Sequence, residues 1–127
     1  MNDVILDASA IIAVLKREPG AERVAAVAEG ARVSALTIAE VATWLVMEGV
    51  PGEQAHAAIS LFRLTVEPFD EVRALAAGVL VAKTRHRGLS LGDRACLALA
   101  LELRMPVFTG DRAWRDLDIG ADIRLFR

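Results

Sequence analysis

Four carboxylates, Asp7, Glu40, Asp93 and Asp111, each stand where a strand-like or loop stretch gives way to a helical pattern. Taken singly, each is equally well a helix cap, since the free amides and dipole of a helix N-terminus favour negative charge by about 0.3–1 kcal/mol. Taken together they would be costly. Two like charges ~5 Å apart repel by about 3 kcal/mol at an effective dielectric of ~20. A converging set therefore either raises its own pKa values or holds a cation. Oxygen donors alone select hard ions, Mg²⁺ or Mn²⁺. His56 and His86 lie away from all four acids in sequence, so a zinc-type site has no support. A hard cation held this way lowers the pKa of a bound water and stabilises charge on a phosphate.

The elements that must position these acids follow from the apolar pattern. Val4-Ile5-Leu6 reads as a short strand buried on both faces, as in a parallel sheet. Asp7 ends it, and a helix opens with Ser9 as N-cap and runs to Lys16, where Pro19-Gly20 breaks the chain. A second helix covers 21–29, and Arg32 to Leu36 is a second strand. Thr37-Ile38-Ala39-Glu40 matches a capping box opening a helix to about Glu48, and a further helix spans 52–62 beyond Pro51. Leu64 to Val66 is a third strand, and Asp70 caps one long helix to about His86. Ser90 to Asp93 opens a helix to Arg104 that is apolar all round between Ala95 and Leu101, and therefore buried and central. Pro106 to Thr109 is a fourth strand, Asp111 to Leu117 a short helix, and Ile123 to Phe126 a fifth strand. Alternating strands and helices predict a three-layer α/β domain with a central, mainly parallel sheet of four to five strands. In such sheets ligands bind outside the carboxyl ends of the strands, the edge at which Asp7 and Asp111 fall.

With 127 residues, 54% of them hydrophobic, the chain is expected to form one domain, 1–127, with a sizeable core. A net charge of −2 supplies no global positive field, so any nucleic-acid binding rests on local basic patches or on metal ions. The single cysteine, Cys96, forms no internal disulfide, and it is read as a small hydrophobe of the buried helix. With neither a signal-peptide pattern nor an apolar run of ~18 residues, the expected location is the cytoplasm, with no membrane association.

Four stretches, Leu6-Asp7-Ala8-Ser9-Ala10, Thr37-Ile38-Ala39-Glu40, Leu91-Gly92-Asp93 and Thr109-Gly110-Asp111-Arg112-Ala113-Trp114, stand in the order seen in the PIN-domain nucleases. The chain resembles that family, and specifically the VapC-type toxins of bacterial toxin–antitoxin pairs. Each motif is short; the ordered set of four spans the chain, and no family acid is missing. The resemblance implies a metal-dependent endoribonuclease that uses Mg²⁺ or Mn²⁺, leaves a 5′-phosphate and a 3′-hydroxyl, and is partnered by a small antitoxin. Asp7 and Asp93 are then the first choice as direct ligands, with Glu40 and Asp111 as further or water-mediated ones. Ser9 and Thr109 orient carboxylates or water, or serve only as cap and turn residues.

Basic residues are read both ways. Lys83, Arg85 and Arg87 hold RNA phosphates or complement a helix C-terminus, while Arg94 and Arg112, each beside a site acid, are better placed for the scissile strand. Trp114 stacks on a base or packs beneath its short helix. Trp44, Leu45 and Met47 belong to a homodimer or antitoxin surface, or to the core. Asp116 and Asp118 supplement the site or cap. Two other classes compete: a phosphate-receiving signalling domain, which lacks here its paired acids after the first strand and its late lysine, and a catalytically idle PIN-like binding module, disfavoured by the full acid set. A haloacid-type hydrolase needs a second aspartate two residues after Asp7, where Ser9 stands.

Overall fold

The structure, a computed structural model, describes residues 3–127. Five strands of two or three residues, β1 (Ile5–Leu6), β2 (Arg32–Ser34), β3 (Thr65–Glu67), β4 (Val107–Thr109) and β5 (Ile123–Leu125), form one sheet in the order β3-β2-β1-β4-β5. Every pairing is parallel, with Ile5 opposite Arg32 on one side and Val107 on the other. A parallel sheet buries both faces, and consecutive strand residues point to opposite sides. Leu6 accordingly joins Val33, Ala10, Ile11 and Val41 in one core layer, while Ile5 joins Cys96, Leu97, Val107 and Trp114 in the other.

Among the described residues, seven helices complete the layers: α1 (Ala8–Lys16), α2 (Ala21–Ala28), α3 (Ala35–Met47), α4 (Gly52–Ser60), α5 (Glu71–Val79), α6 (Val81–Thr84) and α7 (Leu91–Leu103). The chain builds β1, β2 and β3 in one direction, then returns through α5–α7 to place β4 on the far side of β1. The switch point between β1 and β4 opens the crevice that parallel sheets use for ligands. A receiver-type domain has the order 2-1-3-4-5 instead, so the topology separates this chain from that rival.

Four local expectations are corrected. Helix α1 is capped by Asp7, not Ser9: the Asp7 carboxylate accepts from the Ala10 amide. Helix α3 begins at Ala35 with Ser34 as its cap, so Thr37 lies inside the helix and its capping box with Glu40 does not form. An apolar Ala35-Leu36 pair suits a helix start as well as a strand end, and the Ser34 hydroxyl decides between them. The long helix from Asp70 is divided into α5, α6 and a 3-10 turn at Arg85–Arg87. There the guanidinium of Arg94 takes the Ala77 and Gly78 carbonyls, and the Thr84 hydroxyl donates to the Leu80 carbonyl. Asp111 to Leu117 holds only a 3-10 turn, Arg112–Trp114. The apolar stretch of α7 is central as expected, with Ala95, Cys96, Leu97, Leu99 and Ala100 buried.

Candidate active site

Asp7 sits at the carboxyl end of the central strand and is only 4% exposed. Its side chain is held at both oxygens. Oδ1 accepts from the Ser9 hydroxyl at 2.7 Å and the Ala10 amide at 2.9 Å, and Oδ2 accepts from the Thr109 hydroxyl at 2.5 Å. Each hydroxyl also accepts: Ser9 from the Gly110 amide at 2.9 Å, Thr109 from the Asp111 amide at 3.0 Å. A hydroxyl has one proton to give and two lone pairs to offer, and both are used to tie the β1–α1 junction to the loop after β4. Ser9 and Thr109 thus fix the orientation of Asp7 and the backbone at Asp111. The Asp111 side chain, exposed, accepts from the Ala113 amide at 2.9 Å and caps the 3-10 turn.

Asp93 forms the full capping box with Ser90: its amide donates to the Ser90 hydroxyl oxygen at 3.1 Å, and its carboxylate accepts from the Ser90 amide at 3.0 Å. Glu40, half-buried on α3, lies against the first turn of α7, its carboxylate on the bare Cα of Gly92. A β-carbon built at Gly92 would stand 2.2 Å from the Glu40 carboxyl carbon and from both its oxygens.

The four acids feel one another. Burial pushes Asp7 up to about 6, against its three hydrogen bonds and with a further push from Asp93. Glu40 is pushed up to about 7 by burial, then by Asp93 and Asp7. Asp93 is raised by burial and, less, by Asp111, although its cap bonds act the other way. Beneath them Cys96 is fully buried, and its thiol is held well above its ordinary value by that burial and by the same acids. The structure therefore brings Asp7, Glu40, Asp93 and Asp111 into one electrostatic neighbourhood at the β1/β4 switch point. As they stand, no three acid, histidine or cysteine side chains among the described residues enclose a space fit for an ion.

The basic residues are placed differently from one another. Arg112 is exposed in the turn directly after Asp111, and Lys83 and Arg85 are exposed at the end of α6. Arg87 pairs with Asp116. The guanidinium of Arg94 donates to the Ala77 and Gly78 carbonyls at 3.0 and 3.2 Å, fastening α5 to α7. Trp114 is fully buried in the second core layer. Gly92 was not singled out by sequence reasoning; its signal was a poor helix former inside a first turn where alanine is favoured.

The site and the all-parallel five-stranded α/β fold are those of an acid-centred domain built at a sheet switch point. The PIN domain profile matches residues 4–120, and the chain belongs to the PIN domain family. Among curated protein sequences none matches. Solved structures share the fold: DNA-bound VapBC from Salmonella typhimurium (20% identity, 100% of both chains, TM-score 0.74), VapBC-1 from nontypeable Haemophilus influenzae (24%, 97% of both, 0.72), and the sarcin-ricin loop cleaving toxin VapC20 from Mycobacterium tuberculosis (20%, 95% of this chain and 98% of that one, 0.72).

Proposed function

We propose that this PIN domain is the toxin of a VapBC-type pair, an endoribonuclease dependent on Mg²⁺ or Mn²⁺. The observation that carries the reading is the convergence of Asp7, Glu40, Asp93 and Asp111 at the β1/β4 switch point, with Asp7 buried and locked at both oxygens. The donors fit a hard cation: all are carboxylate oxygens, and among the described residues none of the four is in a salt bridge. Asp7 and Asp93 would hold the ion directly, with Glu40 and Asp111 as further or water-mediated ligands. A bound ion supplies a hydroxide-like water and charge stabilisation at phosphorus.

The chain's own residues do the rest. Ser9 and Thr109 keep Asp7 in one orientation, which its burial alone would not. Arg112, exposed beside Asp111, is assigned to the substrate backbone, with Lys83 and Arg85 further along it. Arg87 joins them by giving up Asp116, and Arg94 by giving up the α5 carbonyls. The scissile RNA is then positioned by phosphates, and the acids face the bond to be cut.

The partner reading also has a place on the surface. A groove of about 560 Å³ between α1, α2 and α4 is floored by Val14, Leu15, Ala28, Ala58 and Phe62 and edged by the 82% exposed Leu61. Its shape and apolar floor suit one amphipathic helix, and the solved relatives above include VapBC complexes. We assign it to a small antitoxin. The expected cytoplasmic homodimer is assigned to α5, where Val72, Leu75 and Val79 are 74%, 64% and 70% exposed at helical spacing. In the helix before Pro51, Leu45 is buried in the core, while Met47 is 80% exposed.

The test is direct. Purified chain incubated with structured RNA should cut it in Mg²⁺ or Mn²⁺, leave 5′-phosphates, and stop in EDTA; Asp93→Asn should be inactive. Cutting that persists undiminished in excess EDTA, or in Asp93→Asn, overturns the reading.

A further inference from the structure

Among the described residues, Glu40 has no hydrogen-bonding partner of the kind that fixes the other three acids. Asp7 is held by two hydroxyls and an amide, Asp93 by its capping box, and Asp111 by the Ala113 amide. Instead, Glu40 reaches from α3 across to the first turn of α7, and its carboxylate fills the place a side chain would take at Gly92. Both carboxyl oxygens and the carboxyl carbon lie 2.2 Å from that place, on backbone that belongs to α7 and cannot withdraw without moving Asp93, the next residue. Gly92 is itself buried, and its φ is not in the left-handed region, so no backbone requirement explains a glycine there. Alanine would be the better helix former at this position. What the glycine provides is room.

We infer that Gly92 is a positioning residue: by carrying no side chain, it lets the Glu40 carboxylate rest on the α7 backbone beside Asp93 and so completes the acid set. The α7 terminus favours a negative group there, and the missing β-carbon sets how closely the group approaches. A methyl at residue 92 drives the Glu40 side chain into another rotamer, away from Asp7 and Asp93, without touching either of those acids. The inference rests on the nuclease reading for its functional consequence, but its geometric core can be tested without RNA.

The experiment is a double-mutant cycle of Gly92→Ala and Glu40→Ala, read by thermal melts of the metal-free protein and by calorimetric Mn²⁺ binding. In the Glu40→Ala background, where the obstructing carboxylate is gone, Gly92→Ala should raise Tm by about 2–5 °C, as a glycine-to-alanine change in a helix does. With Glu40 present the same change also has to move the carboxylate from its seat, so its effect on Tm should differ from that in the Glu40→Ala background, the difference being the coupling between the two residues. Gly92→Ala should weaken Mn²⁺ binding by about 10–100-fold, the size seen when a group supporting a ligand is lost, and should weaken it no further once Glu40 is alanine. Additive melts, or a Gly92→Ala protein that binds Mn²⁺ as wild type does while Glu40→Ala does not, overturn the inference and leave the nuclease reading standing. Wild-type protein that takes up no Mn²⁺ and cuts no RNA overturns the nuclease reading, and coupled melts then still support the placement of Glu40 by Gly92.

Discussion

Asp7 and Asp93 are caps and members of the acid set at once. Asp7 receives the Ala10 amide as the α1 cap, and Asp93 closes the α7 capping box, yet both are raised by burial and by neighbouring acids. A neutralising change at either residue mixes a lost cap, worth about 0.5–2 kcal/mol, with relieved repulsion, so its effect on stability has no single sign. Glu40 caps nothing. Glu40→Gln should therefore leave the metal-free protein as stable as wild type or more so at pH 8, and should abolish most of the Tm gain that Mg²⁺ or Mn²⁺ gives wild type. Thermal melts with and without metal check both halves. Asp7 adds a pH dependence. Its folded pKa, about 6, lies above the usual 3.8, so the folded state binds more protons in between. Its contribution to stability is full below about 4 and declines as pH rises to about 6. The loss is on the order of 3 kcal/mol. Urea melts of the metal-free protein at pH 4.5 and 6.5 should show the lower midpoint at pH 6.5, with the difference reduced in Asp7→Asn and not abolished, because Glu40 and Asp93 are raised over the same range.

Between elements, the two hydroxyl relays decide how firmly the site is built. Thr109 gives its proton to Asp7 and receives the Asp111 amide, so Thr109→Val strands a buried carboxylate oxygen and an amide at once. That change should cost about 1–3 kcal/mol of stability and most of the RNase activity, while Thr109→Ser restores both. Denaturant midpoints and RNA cleavage by the two variants check it. At this scale the sequence was legible in kind and less so in detail. Apolar runs marked β1 and β4, and Asp7 and Asp111 directly after them marked the site edge, whereas β2, β3 and β5 are short stretches with charged or polar residues that had a weaker signal. Helix starts were less visible, because Ser9, Ser34 and Thr37 are all good caps, and only packing chooses among them. The break between α5 and α6 depends on Arg94, 16 residues beyond Gly78 in sequence, and the room at Gly92 depends on a side chain 52 positions earlier. Neither contact has a local signal.

At the scale of the whole molecule, three surfaces are separable: the acid edge, the α1/α2/α4 groove and the α5 stripe. Substitutions on one should spare the others. Leu61→Glu should prevent capture of the proposed antitoxin in pull-downs while leaving RNase activity intact. Leu75→Glu should shift the protein to a monomer in sedimentation experiments without loss of fold by circular dichroism. If either change instead removes cleavage of RNA, the assignment of that surface is wrong.

The central strand carries one more consequence. β1 is made well before its second neighbour, β4, and the Thr109 hydroxyl that fixes Asp7, which come about a hundred residues later. At ~5–20 residues per second, a ribosome needs about 5–20 s to travel between them. During that interval β1 has one open edge, Asp7 lacks its partner, and Asp93 and Asp111 have yet to arrive. A nascent chain thus lacks the assembled acid set until β4 and the loop after it have been made.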